Sequence, residues 1–145
     1  MVLLLGNLLL LVYLKYLLGV DLGQMSLVVL VVVIGIITGM AFGAFFGVAF
    51  KGTMQTKENL MSGVVLLLSA MAGLMSVYVK FFITSNLPFL GYINPANLIT
   101  EALYSLYYYS DLANYYFSVI LLSVLTVIMI IFVIFKMRRE KYDSI

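Results

Sequence analysis

The side chains able to do chemistry in this chain are few and far apart. Its carboxylates are Asp21, Glu58, Glu101, Asp111, Glu140 and Asp143, and its cations are Lys15, Lys51, Lys57, Lys80, Lys136, Arg138, Arg139 and Lys141. Histidine and cysteine are absent, which removes imidazole bases, thiol nucleophiles, disulfides and the usual transition-metal ligand sets. Every carboxylate falls in a turn, a connection or the tail, so none stands inside an apolar run where a proton relay would need it. A phosphate-cradling G-x-x-x-x-G-K-[ST] loop is missing as well. With no nucleophile beside a base, no catalytic residue and no metal site are expected, and the chain is not expected to be an enzyme.

What must hold these scattered groups is apolar. Of the 145 residues 65% are hydrophobic and 10% charged, against roughly half apolar and a quarter charged in soluble domains. The net charge of +2 and the grouping of cations near the ends of apolar runs argue against nucleic acid as a partner. The expected class is all-α: a polytopic helical bundle in a lipid bilayer, one transmembrane domain over residues 1–145. A bilayer core about 30 Å thick takes about 20 apolar residues per helix. Four stretches meet that need: Val2 to Val20, Ser26 to Phe50, Asn59 to Val79 and Tyr115 to Phe135. Lys15 lies close enough to the end of the first to extend its ammonium to the headgroups.

Orientation follows from the cations. With both termini in the cytoplasm, Lys51, Lys57, Lys136, Arg138, Arg139 and Lys141 lie inside and only Lys15 and Lys80 outside. The tail 136–145 is then cytoplasmic and its cations face anionic headgroups. The start "MVLLLGNLLLLVYL" meets its first lysine after its apolar run, the reverse of a signal peptide. Helices upstream, from a longer chain or a partner chain, are therefore expected.

Two further patterns stand out. Gly35, Gly39, Gly43 and Gly47 recur every four residues along the second span, a bare stripe on one face where another backbone can approach. Packing against the third span, with Gly63, Ser69 and Gly73, is the first expectation; lining a pathway is the second. The stretch "INPANLITEALYSLYYYS" places Asn94 as an N-cap and Pro95 at the first helical position. Leu98, Ile99, Ala102, Leu103, Leu106 and Tyr107 follow at helical spacing, with Asn97, Glu101, Ser105 and Tyr108 on the other side. This predicts a short amphipathic or re-entrant helix over about 95–109 at the outer surface. Tyr107, Tyr108, Tyr109, Tyr115 and Tyr116 form an expected anchoring belt at headgroup depth.

Several of these stretches together resemble one family. "GMAFGAFFGVAFKG" with the basic turn after it, "NLMSGVVLLLSAMAGLM", and above all "LPFLGYINPANLITEALYSLYYYSD" before a last span ending in "RREKYDSI" are similar to the C-terminal part of ABC transporter permeases of the type-2 exporter class. The resemblance covers nearly the whole chain. It implies the last four of six spanning helices, with small helices dipping back between the final two. It also implies a separate ABC ATPase subunit carrying ATP and Mg, so that no cofactor belongs to this chain, and a second permease chain, identical or different. The ATPase would dock at the short loop formed by Lys51, Gly52, Thr53, Gln55, Lys57, Glu58 and Asn59, for which a solvated, positive-inside turn is the alternative reading. The weakly charged spans suit a hydrophobic or amphipathic cargo better than a small ion. The other expectation is a small non-transporting membrane protein that acts as an assembly or regulatory partner.

Overall fold

Helix is the only regular structure among the described residues, which are 2–20, 23–108 and 112–142 of a computed structural model, with side chains described as far as Arg139. The elements are α1 (Val2–Tyr16), α2 (Met25–Ala49), α3 (Met54–Met71), α4 (Val77–Asn86), α5 (Pro88–Ile93), α6 (Pro95–Tyr108) and α7 (Ala113–Tyr142). Two helices are long and apolar enough to cross a membrane: α2 and the stretch Ala113–Arg139 of α7. At about 1.5 Å per residue they extend roughly 37 and 40 Å, beyond the thickness of a bilayer core.

α2 and α7 run side by side in the same direction. Tyr115 Oη donates to the Leu27 carbonyl at 2.9 Å, Thr38 Oγ1 and Thr126 Oγ1 are 2.7 Å apart, and the rings of Phe45 and Phe132 lie 5.0 Å apart. α6 runs the opposite way along both. Its last turn reaches the start of α2, where the Leu106 carbonyl oxygen lies 2.9 Å from the position of a Cβ on Gly23, and its first turn reaches the middle of α2. The core lies where the three meet, built on Val31, Ala102, Tyr115 and Val119.

Three expected boundaries change. The stretch from Asn59 to Val79 is not one helix: α3 already begins at Met54 and ends at Met71, and Val77 to Val79 open α4. The break is a C-terminal closure in which Leu74 N–H bonds the Ser69 carbonyl and Gly73 N–H the Ala70 carbonyl. Gly73 takes φ +88°, a left-handed conformation that glycine adopts without the Cβ clash other residues incur. α1 stops at Tyr16, short of Val20, before a turn through Gly19 at φ +62°; its 15 residues give about 22 Å. The tail continues α7 as helix to Tyr142.

Candidate functional site

The residues singled out around 88–101 converge where α3, α4, α5 and α6 meet. Asn94 is the centre of that convergence and is almost fully buried. Its Oδ1 accepts from the backbone N–H groups of Ala96 at 3.0 Å and Asn97 at 3.3 Å, the N-cap that the sequence predicts. Its Nδ2 donates to the Leu68 carbonyl at 2.8 Å. One amide thus caps α6 and ties it to the last turns of α3, and the α6 N-terminus is held between helices instead of over the end of the bundle.

Pro95 sits at the first position of α6 and Pro88 at that of α5, where a missing N–H leaves no bond unmade. Asn97 Nδ2 reaches back to the Gly91 carbonyl at 3.1 Å, closing the α5–α6 corner. Glu101 pairs with Lys80 of α4, Nζ to Oε1 2.6 Å, and Lys80 Nζ also stands 4.9 Å from the Tyr104 ring centre. This is the one ion pair among the described residues. Thr84, Asn97, Glu101, Asn114 and Ser118 line a polar cavity of about 280 Å³ on this side of α6.

On the opposite side of α6 the walls are apolar. A cavity of about 720 Å³ lies between α1, α2 and α6, lined by Leu10, Leu11 and Leu14, by Val28, Val32 and Gly35, and by Ile99, Leu103 and Tyr104 among others. A third, of about 210 Å³, lies between α2, α3 and the first turn of α6.

The glycine stripe behaves unevenly. At Gly35 an added Cβ would lie 3.3 Å from Ile99 Cδ1 of α6, and at Gly43 3.9 Å from Met61 Sδ of α3. At Gly39, Gly47 and Gly63 it would meet nothing within 4 Å. The expectation of a stripe packed along its length against the third span is thus corrected: its one tight contact is with α6, and Gly73 serves a turn. Gly39 instead borders the third cavity, whose α3 wall is formed by Met61, Val65, Leu68 and Ser69.

The loop expected to dock a partner is only partly a loop. Lys51, Gly52 and Thr53 form the turn, with Gly52 at φ +140°, while Gln55, Lys57, Glu58 and Asn59 lie in the first turns of α3. Thr53 is the N-cap, its Oγ1 accepting from Thr56 N–H at 3.3 Å. Lys57 donates to the Gly47 carbonyl in the last turn of α2, where a cation complements the helix dipole. Lys51, Gly52, Thr53 and Gln55 are exposed, as are Phe50 and Met54.

Two placements depart from expectation. Ser105 is buried, not on a polar outer face, and donates to the Glu101 carbonyl. Tyr115 is fully buried and bonded to Leu27, so it does not belong to the surface belt. Tyr107, Tyr108 and Tyr116 are exposed, and Tyr109 lies outside the described residues. The Asn94–Leu68 and Lys80–Glu101 links were not foreseen. The only prior sign of either was a lysine and a glutamate close to the same pair of prolines.

No family model, curated protein or solved structure matches the chain.

Proposed function

We propose that this chain is the membrane-spanning permease part of an ATP-driven exporter of the ABC type-2 class, crossing the bilayer four times with both ends in the cytoplasm. The observation that carries this reading is the return of the chain at Asn94. After α3, the segments α4 and α5 bring a capped helix start back to the middle of α2, and α6 then runs out again beside α2 and α7. In a bilayer that is a re-entrant element, tolerated because Asn94 satisfies the exposed N–H groups within the protein. Small helices dipping back before the last span are what the family resemblance implies.

On this reading the chain does no chemistry. A separate ATPase subunit, holding ATP and Mg, moves against the turn 51–53 and the start of α3, and a second permease chain completes the pathway. The geometry suits such a contact: Met54 is 74% exposed beside Lys51 and Phe50, an apolar knob within a cationic turn. Thr53 and Lys57 fasten the start of α3 to its own backbone and to α2. α3 then leads from this turn to Leu68, whose carbonyl receives Asn94. A displacement at the turn is therefore delivered to the start of α6 through one helix. The cargo on this reading is hydrophobic or amphipathic.

The test is purification of the full chain from its native membranes in mild detergent, with identification of any co-purifying subunit that binds ATP. Lys51→Glu is the variant of choice, since Lys51 is exposed while Lys57 holds α2. An ATPase recovered with the parent and lost with Lys51→Glu is the expected result. If no ATP-binding subunit accompanies the parent, the permease reading fails and a non-transporting membrane partner takes its place.

A further inference from the structure

We infer that the cavity between α1, α2 and α6 is a binding site for one anionic phospholipid, its acyl chain between the helices and its headgroup at Lys15. The cavity, about 720 Å³, falls within the range of about 300–1,000 Å³ that ligand sites occupy. Its body is aliphatic, with Leu11, Val28, Val31 and Leu103 contributing no polar side-chain atom. Asn7 lines it away from Lys15, its Nδ2 already donating to the Leu3 carbonyl at 2.8 Å, and the other polar side chains, three tyrosines, stand at one end. α6 ends there with Tyr104, Tyr107 and Tyr108, all lining residues and all exposed, so their hydroxyls are free to donate to a phosphate.

Lys15 stands at the same end. The last turn of α6 touches the start of α2 at Gly23, and the short connection from α1 brings the α1 C-terminus to the start of α2 as well. Lys15 is four residues beyond Leu11 and next to Leu14, both lining residues, which places it one turn above the cavity on the same helix face. It is exposed, has no carboxylate within ion-pair distance among the described residues, and its Nζ stands 5.9 Å from the ring centre of Tyr16. Lys80, near Tyr104, is already neutralised by Glu101. The sequence between α1 and α2 includes Asp21, and that between α6 and α7 Asp111, both outside the described residues. Selectivity for an anion therefore rests on the place of Lys15 above the cavity, not on the net charge of that end.

The inference rests on the membrane placement proposed above and is independent of transport. The chain contains no tryptophan, so Leu10→Trp introduces a single tryptophan, excited selectively at the red edge beyond tyrosine absorption, at an exposed lining position. The full chain in mixed micelles is titrated with brominated phosphatidylglycerol or brominated phosphatidylcholine, both of which quench tryptophan on contact. We expect half-quenching at an about fivefold lower mole fraction of the anionic lipid, the ratio that corresponds to roughly 1 kcal/mol for one lysine near anionic headgroups. Adding Lys15→Glu should abolish that preference. Ile128→Trp, on an exposed stretch of α7, should be quenched equally by both lipids. Val32→Trp, which also lines the cavity, repeats the measurement should Leu10→Trp not fold. Equal quenching of the cavity reporters by the two lipids, or a preference that survives Lys15→Glu, overturns the inference. So does the absence of quenching by either lipid, the result expected if a second copy of the chain filled the cavity. Failure to quench Ile128→Trp as well would reject the membrane placement itself.

Discussion

At the scale of single residues, Asn94 and Gly73 decide most. Asn94 carries two functions in one amide, and substitutions separate them. Asn94→Ser keeps a capping oxygen and loses the bond to Leu68, whereas Asn94→Ala loses both. Loss of an N-cap costs about 0.5–2 kcal/mol, so the thermal midpoint in detergent is expected to fall in the order parent, Ser, Ala. An alanine variant as stable as the parent would show that the cap is replaceable. The Leu68 carbonyl keeps its helical bond from Ala72 N–H in each variant, so no new orphan acceptor complicates the comparison. Gly73→Ala tests the turn. A left-handed conformation costs a residue with a Cβ roughly 1–2 kcal/mol, and that Cβ would also lie 3.0 Å from the Lys80 side chain. The variant should be destabilised by at least the conformational amount, and a parallel Gly63→Ala, where an added Cβ meets nothing within 4 Å, should not be. The capping role of Asn94 was legible because Asn-Pro before an apolar period has a local meaning. Its bond to Leu68 was not, since it joins residues 26 apart.

At the scale of elements, α2 shows how a regular pattern can serve unequal ends. Its glycines share a helix face, yet only Gly35 has another element tightly against it, because α6 enters at that level, while at Gly43 α3 comes no nearer than ordinary contact through Met61. Gly35→Leu is therefore expected to lower stability and to loosen α6, read as faster proteolysis or hydrogen exchange in that helix. Gly39→Ala has open space and, in an ordinary helix, the exchange favours alanine by about 1 kcal/mol; it should leave the fold unchanged or firmer. If Gly39→Ala proved the more damaging of the two, that face would be covered in the assembled protein by another chain. The division of 59–79 into α3 and α4 belongs to the same scale. Hydropathy runs on through Ala72 to Val79, so apolar length alone gave no reason to stop. The local signal was Gly73 followed by Ser76, a helix end and the next helix's N-cap.

At the scale of the whole molecule, the parallel pair α2–α7 is the frame on which α6 rests. Its polar fastenings are the Tyr115 bond to the Leu27 carbonyl and the Thr38–Thr126 bond, the latter buried between two apolar helices. Each hydroxyl also reaches the carbonyl four residues back, Ile34 and Leu122, so losing one partner does not strand the other. A double-mutant cycle with Thr38→Val and Thr126→Val should accordingly give a coupling of about 0.6 kcal/mol, the average for side-chain bonds between membrane helices. A coupling of zero would mean that the pair is held by packing and the Tyr115–Leu27 bond without help from the two threonines.

What the sequence determined by itself was composition-driven and local. Helix as the sole regular structure among the described residues, the two long apolar helices, the Asn94 cap and the start of α6 at Pro95 all follow from apolar length, spacing and turn chemistry within a few residues. What only the tertiary structure decided was which faces meet. The burial of Tyr115 and Ser105, the ties from Asn94 to Leu68 and from Lys80 to Glu101, and the lone tight contact at Gly35 each depend on distant helices arriving at one place. In a chain whose helices are apolar on most sides, hydrophobic periodicity marks no single inward face. The neighbours of each residue are then chosen by shape and by a few polar bonds.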